Sequence, residues 1–257
     1  MLPPVRVPSA PMPPRIHVPA QPWSAGLTIT LPPGPSRHLQ VLRLQPGHPV
    51  TLFDGEGGEW SARVVAMGRS AVEVCVEAHD PVMREAACAV TLAVGMPAND
   101  RMDTLVEKAT ELGVAALQPL VCERSVLRLA GERAERKVLH WQGVAAAASE
   151  QSGRTRVPHI EPVRALDDWL ASMPAAAPGE VRGVLSLASR RGWSTLGWPA
   201  PAACLLSGPE GGLTGAEEAL AVARGFEPVS LGPRTLRADT APLAALAWIV
   251  LAGIPSG

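Results

Sequence analysis

The chain has 257 residues, a formal net charge of −1, and 47% apolar against 18% charged residues. Such a length and balance exclude a disordered chain and a miniprotein dependent on metal or disulfides, and give no overall basic charge for gripping nucleic acid. No apolar run reaches the ~18–20 residues needed to cross a bilayer; Ala241–Ile254 is interrupted by Pro242 and reads as a buried or partner-facing helix. The proline-rich segment Met1–Pro22 lacks the apolar core of a signal peptide, which points to the cytoplasm. Cys75, Cys88, Cys122 and Cys204 form no C-x-x-C pair, so neither zinc nor a disulfide framework is expected, and each reads as a small buried hydrophobe. Only Lys108 and Lys137 are lysines, and every other cation is arginine. Arginine offers planar, bidentate contacts to phosphate and stacks on bases, although a GC-rich genome explains the same bias.

In chain order, residues 23 to about 80 read as short strands separated by turns, over Leu27–Leu31, Val50–Phe53, Trp60–Val65 and Ala71–Val76. Asp54-Gly55-Glu56-Gly57-Gly58 is a turn, and a short helix spans roughly Pro35–Leu44. The spacing predicts a small β-barrel, followed by a linker over Ala78–Glu85 with His79-Asp80-Pro81 as its breaker. From Cys88 the rhythm changes. Cys88–Val94, Ala115–Val121, Val181–Leu187, Ala203–Leu206 and Val229–Leu231 read as buried strands. Helices are predicted from Asp100 to Leu112, closed by Gly113, and over Arg133–Gln151. This alternation predicts an α/β half with a mostly parallel sheet, and Arg154–Gly197 carries only weak signal.

Two junctions hold the most chemistry. Ser207-Gly208-Pro209-Glu210-Gly211-Gly212 follows a strand, and Thr214-Gly215-Ala216-Glu217 is a capping box opening the next helix. Ligands of open α/β sheets bind beyond the strands' carboxyl ends, where glycines let the backbone come close. There is no G-K-[ST] and no G-x-G-x-x-G, so a nucleoside without a phosphate cradle fits better than ATP; a tight turn with no ligand is the plain alternative. A second loop, Leu231-Gly232-Pro233-Arg234-Thr235-Leu236-Arg237-Ala238-Asp239-Thr240, shifts the balance toward a shared crevice. Its two arginines suit an electron-rich substrate group. Glu150, Gln151, Arg154 and Arg156 cluster at a helix C-terminus, where the dipole alone would favour cations. Arg124, in Glu123-Arg124-Ser125, reads equally as surface charge or as a substrate contact.

Together these segments resemble the RsmE family of ribosomal RNA uridine methyltransferases, of the knotted SPOUT class. The resemblance rests on Gly208–Gly212, Leu231–Ala241, Glu107–Val114, Glu123–Ser125, Glu150–Arg154, Arg37–Leu44 and Leu52–Gly55, and covers nearly the whole chain from Met12. It implies a PUA-like, RNA-binding β-barrel over residues 12–80 and an α/β SPOUT trefoil-knot methyltransferase domain over 86–257. Residues 1–11 read as a disordered extension, with Met12 as an alternative start. The resemblance further implies S-adenosyl-L-methionine as methyl donor, a homodimer, and N3 of a uridine in small-subunit (16S) ribosomal RNA as acceptor; no metal is expected, as the cysteine spacing already indicates. The departures are Ala98-Asn99, where the family often has Lys-Gly, and His140, where Arg is usual before Trp141. His140 thus weakens one expected RNA contact.

On this reading Leu206, Ser207, Gly208, Glu210, Gly212, Leu231, Gly232, Leu236 and Thr240 hold the donor. Arg237 stabilises the uracil oxygens, Arg154 helps to place the RNA, and Glu150 is the candidate proton acceptor. In the N-terminal part, Arg15, His17, Arg37, His38 and Arg43 form a candidate RNA-facing patch, joined by Arg124 from the second domain. The rival readings are a knotted methyltransferase acting on transfer RNA and a non-catalytic RNA-binding ribosome assembly factor.

Overall fold

The computed structural model describes residues 12–19, 22–98, 101–192 and 195–252. The proposed extension over residues 1–11 and the helix start at Asp100 lie outside these. The chain separates into two units, Met1–Met83 and Arg84–Gly257, a boundary within the expected linker.

The first unit is a five-stranded sheet in the order β1-β3-β4-β5-β2, with α1 (Pro33–Val41) as its helix. β1 (Arg15–His17) pairs parallel with β3 (Pro49–Phe53). β4 (Glu59–Met67), β5 (Val72–Asp80) and β2 (Thr28–Thr30) continue the sheet antiparallel. The alternation along Val72, Val74 and Val76 sends those side chains into a core with Ile16, Leu39, Leu52 and Val64. β5 runs on through His79 and Asp80, two residues expected to break it, because β4 pairs with it as far as Glu59 opposite Asp80. β1, too short to show a period, was not expected.

The second unit is an all-parallel seven-stranded sheet. Its central path is β12 (Glu227–Val229), β10 (Glu180–Leu185), β11 (Ala202–Ser207), β6 (Ala89–Gly95), β7 (Ala116–Val121) and β8 (His159–Ile160), with β9 (Arg164–Ala165) also on β7. Leu92, Val94, Leu117, Leu205 and Leu206 are fully or almost fully buried, as continuous apolar runs require of strands covered on both faces. α2 (Arg101–Glu111) and α3 (Gly131–Ser152) pack with α6 (Thr240–Ala252) into one core layer; α4 (Leu166–Ser172) and α5 (Gly215–Ala223) contribute to another. β11 enters between β10 and β6, which precede it in the chain, and after β12 the chain returns to lay α6 against α2, β6 and β11. This re-entry brings the β11–α5 and β12–α6 loops together.

Two arginines expected to meet RNA are spent inside the fold. The Arg154 side chain is 6% exposed and donates through Nε to Glu85 at 2.9 Å, and through Nη1 to the Thr110 and Val114 carbonyls at 3.0 and 2.8 Å. It therefore ties α3 to the C-terminal end of α2. Arg15, 10% exposed, pairs with Glu59 at 3.1 Å and covers the Phe53 ring, so it leaves the candidate RNA-facing patch. His140 meets Asp103 at 2.8 Å, and the Trp141 indole donates to the same carboxylate at 2.9 Å. Burial would raise the Asp103 carboxyl, but these hydrogen bonds outweigh it and hold the group below its ordinary value.

No helix among the described residues is long and apolar enough to cross a membrane.

Candidate active site

Three parallel strands end side by side at the site. β10 delivers Leu185, Ser186 and Leu187; β11 delivers Ser207 and the loop to Leu213; β12 delivers Val229 and the loop to Ala241. Between them lies a cavity of about 390 Å³, within the range of small-molecule sites. Leu185, Leu187, Leu231 and Leu236 give it apolar walls, and glycine backbone gives it a polar floor.

The first loop is held shut by its own sequence. The Gly212 amide donates to the Pro209 carbonyl at 2.8 Å. A methyl group on Gly208 would stand 2.7 Å from the Leu213 nitrogen and 2.9 Å from the Gly212 carbonyl carbon, so only glycine lets the loop fold back on itself. Replacing Gly208 with alanine is therefore expected to open the loop and weaken binding of the ligand at least about tenfold, read by titration calorimetry, with the far-ultraviolet spectrum unchanged. The capping box forms as expected: Thr214 Oγ1 accepts from the Glu217 amide, and Glu217 Oε2 accepts from the Thr214 amide at 2.7 Å. Glu217 Oε1 reaches further, accepting the Glu123 amide at 2.8 Å and joining α5 to the end of β7.

Arg124 supports the same loop, its Nη1 donating to the Gly211 carbonyl at 3.0 Å and more distantly to Leu213. This contact ties the loop to the end of β7 and gives Arg124 a role within the fold. Glu210 Oε1 accepts the Ala98 amide at 2.9 Å and faces Arg101 Nη1 at 3.6 Å, linking the loop to the β6–α2 connection.

In the second loop Gly232 has φ 108, a conformation costly for any residue with a Cβ, and a side chain there would project into open space. The Arg237 carbonyl accepts from the Thr240 and Ala241 amides at 3.0 and 2.9 Å, which fixes Arg237 at the N-terminus of α6. Asp239 Oδ1 accepts from the Thr240 amide at 3.0 Å. Arg234 and Arg237 line the cavity, and their side chains make no ion pair among the described residues.

Of the residues expected to hold a donor, Ser207, Gly208, Glu210, Gly212, Leu231, Gly232 and Leu236 line the cavity; Arg237 lines it too. Leu206 is buried one residue behind it, and Thr240 begins α6 beside Ala241, which lines it. Glu150, in the last turn of α3, and Arg154 are not among the residues that line it. Sequence reasoning overlooked the end of β10 and Arg101. Leu185–Leu187 carries neither glycine nor a helix cap, so nothing local separates it from a strand ending in solvent. Arg101 follows the segment whose helix start was placed at Asp100, and its reach toward Glu210 depends on tertiary folding.

Cys122 and Cys204 are buried and disfavour the thiolate. Burial pushes Cys204 up to about 12, and burial followed by the nearby Glu217 charge does the same to Cys122. No group of three or more candidate metal ligands occurs among the described residues.

The comparisons with known proteins follow this division. Residues 84–250 match the RNA methyltransferase domain family, and residues 36–77 match the RNA methyltransferase PUA domain. A ribosomal RNA small subunit methyltransferase E from Synechocystis is 37% identical over 229 residues, spanning 86% of this chain and 72% of the relative. A crystal structure of the protein of that name from Neisseria gonorrhoeae, bound to S-adenosyl methionine, is 36% identical with a TM-score of 0.86, covering 93% of this chain and 97% of its own. A Legionella pneumophila structure in complex with the bound cofactor SAM is 31% identical with a TM-score of 0.88, covering 94% and 98%. The chain belongs to the ribosomal RNA small subunit methyltransferase E family, whose catalytic unit is a SPOUT-class RNA methyltransferase domain.

Proposed function

We propose that the chain methylates N3 of a uridine in small-subunit ribosomal RNA, with S-adenosyl-L-methionine as donor, in the cytoplasm and as a homodimer. The observation that carries this reading is the glycine-floored cavity at the ends of β10, β11 and β12, in a chain of this family. The cavity suits the donor: leucines offer apolar contact to an adenine, loop amides and carbonyls offer hydrogen bonds, and neither loop carries a G-K-[ST] or G-x-G-x-x-G phosphate-binding pattern. When bound there, the donor supplies an activated methyl group.

The protein's own residues then have three tasks. Ser207, Gly208, Gly212, Leu231, Gly232 and Leu236 hold the donor, with Leu206 and Thr240 supporting them from behind. Arg237, fixed at the α6 N-terminus, faces negative charge that develops on the uracil oxygens as N3 becomes nucleophilic. Arg37, His38 and Arg43, exposed on and just after α1, meet the RNA backbone. Glu150, as a candidate proton acceptor, gains no support from its position in the last turn of α3.

A second copy of the chain is the partner we assign to α6. Pro242, Ala245, Leu246 and Ile249 are buried, whereas Ala244, Trp248 and Leu251 form an exposed stripe on another face, with Leu251 65% exposed. Leu251→Arg is expected to convert a dimer into a folded monomer in sedimentation experiments. On the monomer itself such a surface change costs no more than about 0.5 kcal/mol.

Incubation of the protein with labelled donor and either small-subunit ribosomal RNA or transfer RNA tests the function. Label in ribosomal 3-methyluridine is the expected result. Label only in transfer RNA would replace the substrate, and a failure to bind donor would leave a non-catalytic RNA-binding protein.

A further inference from the structure

A uracil N3 cannot attack while it holds its proton, and arginines that remain charged cannot take it. Among the described residues lining the cavity, Glu210 is the one carboxylate. Its Oε1 accepts the Ala98 amide and lies 3.6 Å from Arg101 Nη1, whereas Oε2 accepts no hydrogen bond among the described residues. The side chain is 29% exposed, so it is neither sealed in the core nor loose in solvent. Gly208 and Gly212 of the same loop line the cavity beside it, and Arg234 and Arg237 line it from the second loop.

We propose that Glu210 is the proton acceptor of the methyl transfer, with Arg101 and the Ala98 amide as the groups that position it. This inference rests on the function proposed above. In the step, Glu210 Oε2 takes the N3 proton, and the electron pair of that N–H bond forms the new bond from N3 to the methyl carbon. The pair of the broken carbon–sulfur bond stays on sulfur, which becomes a neutral thioether, and Glu210 later returns its proton to water. The anchored oxygen keeps the carboxylate from rotating away, so the free oxygen is presented without a search among rotamers.

Glu210→Gln preserves an acceptor for the Ala98 amide and removes the base. Turnover on uridine RNA is expected to fall about a hundredfold or more, at least tenfold beyond any loss of donor affinity read by titration calorimetry. RNA carrying 5-fluorouridine at the target has a more acidic N3–H, and with it the deficit is expected to shrink by about tenfold. An equal deficit on both RNAs, an unimpaired variant, or a loss of donor affinity matching the loss of turnover would each overturn the assignment. Wild-type protein that methylates neither RNA would refute the proposed function instead, which keeps the two failures apart.

Discussion

Arg237→Ala is expected to lower methyl transfer by about a hundredfold or more while leaving donor affinity unchanged, measured by single-turnover kinetics beside calorimetry. The expectation follows from where the residue is fixed and what its side chain is spared. Its carbonyl closes the first turn of α6 through Thr240 and Ala241, so its backbone cannot drift. Its guanidinium, unlike those of Arg154 and Arg15, makes no ion pair among the described residues. A cation at a helix N-terminus is locally unfavourable, since the dipole there prefers negative charge. That cost is recovered when an anionic oxygen arrives, because the arginine and the helix terminus then attract the same charge. Arg237→Lys should restore only part of the rate, since a point charge replaces a planar fork. Turnover that survives in Arg237→Ala would remove the residue from the chemistry.

The second large effect is one of stability. Arg154→Ala is expected to destabilise the second unit by about 3 kcal/mol, the lower end of the range for breaking a buried ion pair, because Glu85 keeps 17% exposure and some water. Removing the guanidinium orphans Glu85 and frees the Thr110 and Val114 carbonyls at the end of α2. Urea unfolding is the measurement. Protein that remains folded should bind donor as the wild type does, since Arg154 does not line the cavity. Unchanged stability with weakened RNA binding would return Arg154 to the role suggested by its neighbours in sequence.

The contrast between Arg154 and Arg237 shows what was legible from residues alone. Both stand beside helix termini in motif-like segments, and nothing local tells a free guanidinium from a committed one. The partners of Arg154 lie 69, 44 and 40 residues away. The glycine loops were legible because their cause is local: Gly208 admits the turn, and the Thr214–Glu217 box starts the helix. The long buried strands were legible for the same reason. The insertion of β11 between β10 and β6 was not, since strand order leaves no trace in periodicity. The third wall of the cavity, at the end of β10, depended on that order. The re-entrant topology therefore entered through family resemblance. The two glycine loops pointed without it to the cavity that both of them line.

The most direct measurement is mass-spectrometric mapping of small-subunit ribosomal RNA from a strain lacking this gene, with and without the wild-type protein restored. One uridine is expected to be unmodified in the deletion and to become 3-methyluridine on complementation, but not with Arg237→Ala. A small-subunit RNA whose modifications are identical in the deletion and the complemented strain would contradict it.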